Sequence, residues 1–515
     1  MNHKWWALVA VCTGVFMLLL DITIVNVALP SIERDFHASL SDLEWVISAY
    51  ALTLAAFLLT AGSLADLFGR RMLFAIGIVW FTVCSILCGF ATNALFLNLS
   101  RAAQGVGGAI MFSTSLAILA DAFRGRDRGV AFGIYGAITG VAVAIGPVLG
   151  GALTSGLSWR WIFFLNVPIG VFCLGATLIR VRESRNPYAR RVDLPGFISF
   201  SLALVALVYG LILSVSDGWS SSLVISSLVV AGVSLVAFGF IEAKSNEPML
   251  DLSLLRVPTF NGGLIAAFAI SGGIFALLTY ITIYFQDILG LSAIATGVRF
   301  LPLTGAIFVT AGIAGRLTSH VPRKWLIAPG FVVIGVGLLL MRGLTAQSTW
   351  THLLVGMILA GVGSGLVNVP LISTAVGVVA PQRAGMASGI NSTLRQAGIA
   401  TGVATLGTIF VTEVRSGLSS RLAGTALAAK SGAISKAITS GTINHVISSA
   451  PPSLRGTVVL ATKASFAGGL NTIVLVAAVA SFAGAVLSFI LVRESDFVEV
   501  PHEVAEPTEA AAALA

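Results

Sequence analysis

Apolar runs of about 20 residues recur along this chain, each closed by a short polar turn, and their lengths suit a helix crossing a hydrocarbon core about 30 Å thick. They predict fourteen spans, at 5–29, 45–64, 73–91, 95–120, 133–153, 162–179, 194–213, 223–241, 262–284, 293–314, 325–344, 353–376, 387–411 and 466–492. Alternation of apolar and polar residues with period two is missing, so the spans read as helices and not barrel strands. The pattern predicts an all-α polytopic membrane protein with about 14 transmembrane helices, grouped as six, two and six.

Composition removes the alternative that 515 residues would otherwise suggest, a string of soluble domains. Hydrophobic residues make up 57% and charged residues 10%, with a mean hydropathy of +0.96, which excludes a soluble globular protein. The net charge of +8 invites a nucleic-acid partner, but its distribution argues against one. Cations gather in alternate loops, at Arg70 and Arg71, Arg124, Arg126 and Arg128, 180–191, Lys244 and Arg256, 316–324 and Arg383. The intervening loops carry Glu33, Asp35, Asp42, Glu44 and Asp217. This positive-inside pattern predicts the cytoplasmic membrane with both termini in the cytoplasm. The first span is too long for a cleaved signal peptide and contains Asp21. Cys12, Cys84, Cys88 and Cys173 all fall inside spans and read as small packing residues.

The two sets of six echo one another. Gly62-Ser-Leu-Ala-Asp66-Leu-Phe-Gly69-Arg70-Arg71 and Gly315-Arg-Leu-Thr-Ser319-His-Val-Pro322-Arg323-Lys324 share one spacing of glycine, polar residue, turn residue and paired cations. Arg101-Ala-Ala-Gln104-Gly105-Val-Gly107-Gly108 is matched by Met357-Ile-Leu-Ala360-Gly361-Val-Gly363-Ser364, with the Arg and Gln missing from the later copy. Such duplication is how many transporters are built. It divides the chain into an N-terminal six-helix bundle at 1–185, a linker with two inserted peripheral helices at 186–260, and a C-terminal six-helix bundle at 261–492. Within the last, 412–465 reads as a long polar outer loop that holds an amphipathic helix at most. The acidic, alanine-rich tail at 493–515 reads as disordered.

Asp21 is the sharpest chemical signal. A carboxylate in hydrocarbon is expensive and usually faces a cavity where it works. Burial favours its neutral form and a nearby cation its charged form, so a carboxyl between the two influences can load and release a proton. Thr23 and Asn26 add polar groups nearby. Arg101 in the fourth span is the natural counter-charge, with Gln104 one turn on to share its hydrogen bonds. The plainer readings are a structural hydrogen bond for Asp21 and snorkelling to a surface for Arg101. Asp66, in the turn of Gly62, Gly69, Arg70 and Arg71, is placed to pair with Arg124, Arg126 or Arg128 and gate the cytoplasmic side, or simply to mark topology. Glycines along the fifth span, ending in Gly146-Pro147 and Gly150-Gly151, permit close helix approach and a kink. In the second half Asn391, Arg395 and Gln396 are candidates for the facing cavity wall.

At these residues the chain resembles the major facilitator superfamily, specifically its fourteen-span drug:proton antiporter branch. Leu20-Asp21-Ile-Thr23-Ile-Val-Asn26-Val-Ala-Leu-Pro30 is similar to that branch's first-helix motif, and the turn at 62–71 to the superfamily's cytoplasmic loop motif. Arg101, Gln104, Gly105 and Gly107 match the fourth-helix motif, Gly146-Pro147 with Gly150-Gly151 the fifth-helix antiporter motif, and Trp159-Arg160-Trp161 through Asn166 and Pro168 the start of the sixth helix. Ala142 replaces a frequent glycine, and Ser319 and Pro322 depart from the second copy of the loop motif. The resemblance implies two bundles rocking about a central cavity, with Asp21 carrying the proton, Arg101 and Gln104 coupling it, and the loop acting as gate.

The expected function is therefore proton-coupled export of amphipathic small molecules such as antibiotics, dyes or biocides. Because Asp21 stands nearly alone among membrane carboxylates, neutral or monocationic substrates are expected ahead of dicationic ones. Two other readings stay open: a dedicated exporter of an endogenous metabolite or lipid, and a sensor that has lost transport. No metal-ligand cluster, nucleotide-binding lysine motif or catalytic set is visible, so no cofactor and no enzymatic reaction is expected. The expected partners are the substrate, protons and the lipid bilayer, without nucleic acid or an obligate protein.

Overall fold

The computed structural model describes residues 3–497 apart from 124, 186–192, 246–247, 249, 319, 380–383 and 424–451. Helices α1 His3–Phe36, α2 Leu40–Phe68, α3 Arg70–Gly89, α4 Ala94–Ala122, α5 Gly125–Gly156 and α6 Trp161–Arg180 form the first bundle. The two inserted helices are α7 Leu194–Asp217 and α8 Ser222–Lys244. The second bundle comprises α9 Pro258–Ile288, α10 Ala293–Leu317, α11 Lys324–Leu340, α12 Thr351–Gly377, α13 Ala384–Leu422 and α14 Pro452–Leu491. Thirteen are long and apolar enough to cross a membrane, and α11, at 17 residues, is the shorter apolar fourteenth. No strand occurs among the described residues.

Polar residues at the turns set several helix starts. Ser39 accepts from the Asp42 amide while Asp42 accepts from the Ser39 amide, a reciprocal cap that frees α2 to begin as soon as α1 ends. Asn93 caps α4 by accepting from the Phe96 amide, and Asp193 caps α7 ahead of Pro195. These caps satisfy amide groups that hydrocarbon would otherwise leave without partners.

Successive helices run in opposite directions, so one face of the molecule holds the basic turns before α3 and α11. The opposite face holds the turns before α2, α4 and α14. The bundles meet where α2 packs on α13, α5 on α10, and α1 on α9. Helix α9 contains two wider π-turns, Ser271–Phe275 and Tyr284–Ile288. At the first of these Gly272 lies against the backbone of Gly398 and Gly402 on α13.

Three sequence expectations change. The stretch 412–465 is not a loop throughout, because α13 continues to Leu422 and α14 begins at Pro452, giving helices of 39 and 40 residues. Val414, Leu418 and Leu422 are buried in the same apolar core as Val458, Ala461 and Phe466, so the extensions are held by packing despite their many polar residues. The inserted pair is not uniformly peripheral. Helix α7 wedges against both α2 and α13, with Trp45 against Tyr209 and Phe57 against Phe197, and Thr408 donates to the Leu211 carbonyl. Only α8 rides outside. Finally, Glu33 and Glu44 do not sit in loops. They lie within α1 and α2 and are 8% and 1% exposed.

Candidate functional site

The first bundle brings its polar residues to one point. Asp21 on α1 is fully buried, and Arg101 on α4 is 1% exposed. Arg101 Nη1 donates to Asp21 Oδ2 at 2.5 Å and to Gln104 Oε1 at 2.7 Å. Gln104 Nε2 donates to Asp21 Oδ1 at 3.1 Å, and Asn166 Nδ2 on α6 donates to the same oxygen at 3.0 Å. Both carboxylate oxygens are thus satisfied, which a buried charge requires. The guanidinium is held from the far side as well: its Nε donates to the Val46 carbonyl on α2 at 3.2 Å, and its plane lies 4.2 Å from the Tyr50 ring centre. Snorkelling to a surface is thereby excluded for Arg101 in this conformation. Ser85 completes the network, receiving from Asn166 Nδ2 at 2.9 Å and donating to the Phe163 carbonyl at 2.9 Å.

Asn166, Ser85 and Tyr50 were not singled out in the sequence as part of this site. Asn166 had one signal available, an amide placed where α6 breaks at Leu165 and restarts. A lone Ser or Tyr within an apolar run carries no comparable mark.

Around this point the glycines of α5 have separate jobs. Gly146 lies directly against Thr23, and a Cβ on Gly150 would meet the Ile24 carbonyl at 2.8 Å, so these two admit α1. Gly151 and Pro147 face the second bundle: a Cβ on Gly151 would stand 2.5 Å from the Ala293 carbonyl, and Gly297 abuts the Pro147 carbonyl. The Gly-Pro-x2-Gly-Gly motif therefore serves α1 and α10 at once. General glycine packing does not require that arrangement.

Two small cavities lie between the bundles. One is lined by Thr23, Asn26, Pro147, Phe275 and Thr304 among mainly apolar neighbours, and the other by Tyr50, Arg101, Gln396 and Ile399. Asn26 lines the first of these and Gln396 the second. Asn391 does not line either one, and Arg395 turns to Asn368 Oδ1 on α12 at 2.7 Å. The expectation that Asp21 has few companion carboxylates is also corrected. Glu44 sits between the bundles, and Glu33 faces Asp287 across the same seam. Neither cavity is lined by an acid, however.

At the basic face Gly69 has φ +119°, a backbone shape that favours glycine, and its missing side chain leaves room for Glu183. That carboxylate accepts from the Arg71 and Met72 amides at 3.0 and 3.1 Å, capping α3, while Arg71 donates to the Leu178 carbonyl. The second half repeats the device: Glu494 accepts from the Arg323 amide at 2.8 Å at the start of α11. Both acids lie in the sequence Val-Arg-Glu-Ser, at 181–184 and 492–495, a further repeat shared by the two halves. Gly62 approaches Ser113. The side chains of Asp66, Arg124, Arg126 and Arg128, on which the expected gate depends, lie outside the described residues. Lys4 and Asp127 form an ion pair at this face at 2.5 Å.

The family model for the major facilitator superfamily matches residues 11–403, which takes in the Asp21 site, the basic turn and most of both bundles. The chain belongs to the major facilitator superfamily. As a superfamily member it is similar to the puromycin resistance protein pur8 of Streptomyces alboniger, 38% identical over 79% of this chain and 82% of that protein. It is 37% identical to the multidrug resistance protein Stp of Mycobacterium tuberculosis (strain CDC 1551 / Oshkosh), over 78% of this chain and 75% of that one. The tetracenomycin C resistance and export protein of Streptomyces glaucescens is 32% identical over 80% and 77%. The fold is shared with a bacterial homologue of the human lysosomal transporter Spinster in an inward-facing, occupied conformation. That likeness has a TM-score of 0.63 and 16% identity, and covers 98% of this chain and all of that one. Superfamily members are multi-pass membrane transporters of small molecules, which agrees with the fourteen apolar helices among the described residues.

Proposed function

We propose that this transporter exports amphipathic small molecules, such as antibiotics, dyes or biocides, across the cytoplasmic membrane in exchange for protons moving inward. The observation that carries the reading is the buried Asp21–Arg101 pair, whose Arg lines a cavity between the bundles. Protonating Asp21 would cancel its attraction for Arg101, and a substrate or a helix shift that draws Arg101 away would make the proton easier to bind. Relatives named for puromycin, multidrug and tetracenomycin C resistance point the same way. The basic face is assigned to the cytoplasm on the charge of its loops, which puts both termini there. A membrane potential of roughly 150 mV supplies about 3.5 kcal/mol per proton, enough for a gradient of a few hundred-fold without ATP.

The cavity walls, which offer Thr, Asn, Gln, Arg101 and apolar groups but no carboxylate, favour neutral or singly charged substrates over dications. A test is accumulation of ethidium and a compound panel in cells with and without the protein. Lower accumulation that a protonophore restores to the level of control cells is the expected result. A difference that survives collapse of the proton gradient, or no difference for any compound, would overturn the proposal.

A further inference from the structure

Glu44 is a buried acid that the Asp21 site does not use. It belongs to α2 of the first bundle, yet everything that receives its carboxyl belongs to the second. Gly407 on α13 leaves the space its side chain fills, and Tyr280 on α9 brings its hydroxyl to Oε1 at 3.0 Å. The same Tyr280 Oη lies 2.7 Å from the Val403 carbonyl. A phenol has one proton, and a carbonyl can only accept. If the tyrosine proton goes to the nearer Val403 oxygen, only a proton on the carboxyl itself, donated to Tyr280 Oη, completes the Glu44 contact, so a neutral Glu44 satisfies both contacts at once. The other oxygen, Oε2, is buried and has no hydrogen-bond partner, which a neutral acid tolerates far better than an anion.

Among the described residues no cation answers Glu44. On its own helix Asp42 is committed to the Ser39 cap. Arg101 of α4, which touches α2 through the Val46 carbonyl, is committed to Asp21. From α7, Tyr209 packs on Trp45, the neighbour of Glu44. Helix α13 has no ionisable residue from 397 to 412. Glu33 of α1 faces Asp287 instead.

We propose that Glu44 is a second proton-binding site, which lets the seam between α2 and α9–α13 close only when its carboxyl is neutral. The proton comes from water on the face opposite the basic turns and returns there when the seam reopens, so it permits closure without being counted as transported. Closing over a deprotonated Glu44 would bury an anion with no counter-charge, so raising the pH opens this seam. The inference rests on the export reading for its purpose, while its test reads conformation alone.

The test uses the full chain in lipid nanodiscs, with nitroxide labels on cysteines introduced at exposed Thr92 and Gln347, one on each bundle at that face; the native cysteines are buried. Distances between the labels are measured from pH 5 to pH 9. In the otherwise unsubstituted protein the long-distance population should grow, with the open-to-closed ratio rising by up to about tenfold per pH unit through the transition, as linkage to one proton requires. Glu44→Gln, always neutral, should stay closed across the range. An unchanged pH response in Glu44→Gln, or none in the parent, would overturn the proposal. Should Glu44→Gln not fold, Asp21→Asn with Glu44 intact decides: a retained response supports the second site, and a lost one assigns it to Asp21. Failure of export with the labels still answering pH would remove the purpose of the latch and leave the latch itself standing.

Discussion

The two bundles keep the same backbone contacts and differ in chemistry. Gly107 on α4 lies against Gly77 and Phe81 of α3, and its counterpart Gly363 on α12 lies against Gly330 and Ile334 of α11. Glu183 and Glu494 cap corresponding helices with the same four-residue sequence. Yet where Arg101 and Gln104 hold Asp21, the second half has Met357 and Ala360, and its own Arg395 bonds only a neutral amide. Duplication has preserved what sets helix spacing and helix ends. Among the described residues only the first copy carries a buried ion pair.

The contrast predicts unequal damage. Asp21→Asn should reduce ethidium export to that of cells lacking the protein, whereas Arg395→Ala should leave a measurable proton-driven rate. Loss of both to the same degree would erase the distinction. Arg101→Ala, which strands a buried carboxylate, should lower unfolding stability by about 3–5 kcal/mol. Arg395→Ala, losing one bond to an amide at a half-buried position, should cost about 1–2 kcal/mol. Denaturant unfolding of the purified protein compares them.

Packing comes next in size. Gly146→Ala presses a methyl into Thr23 and should cost about 1–3 kcal/mol, while Gly136→Ala, with open space at the same position, should be neutral or gain about 0.5–1 kcal/mol from helix propensity. Thermal melts of the two variants separate a specific contact with α1 from a general glycine stripe. The smallest effect tests the part both bundles share. Glu183→Ala and Glu494→Ala should each cost about 1 kcal/mol and speed amide exchange only in the first turn of α3 or α11. A large difference between the two would mean the repeated cap no longer has a repeated role.

What the sequence disclosed follows from how strongly hydrocarbon restricts a chain. An apolar run of 20 residues has one outcome in a bilayer, so all fourteen helices were legible, as was Asp21, whose charge makes it conspicuous. Glu33 and Glu44 were misplaced because hydropathy marks where apolar residues stop, while the helices run on past that point and bury acids at their ends against the opposite bundle. The helical parts of 412–465 were lost for the same reason. Their amphipathic turns lack the mean hydropathy of a span and gain order only from each other. Ser85 and Tyr50 join the site through tertiary packing that no local pattern encodes, Asn166 stands in a motif that gives no hint of its partner, and the Val-Arg-Glu-Ser repeat is readable but too short to stand out until both copies cap a helix.

The length of α13 and α14 has one further consequence. At about 1.5 Å per residue each is close to 60 Å long, roughly twice the hydrocarbon thickness, so both run past what a single crossing needs, and their paired ends extend on the side away from the basic turns. An antibody fragment raised against those ends would grip the molecule without entering the substrate path, giving a handle for imaging the transporter while it works.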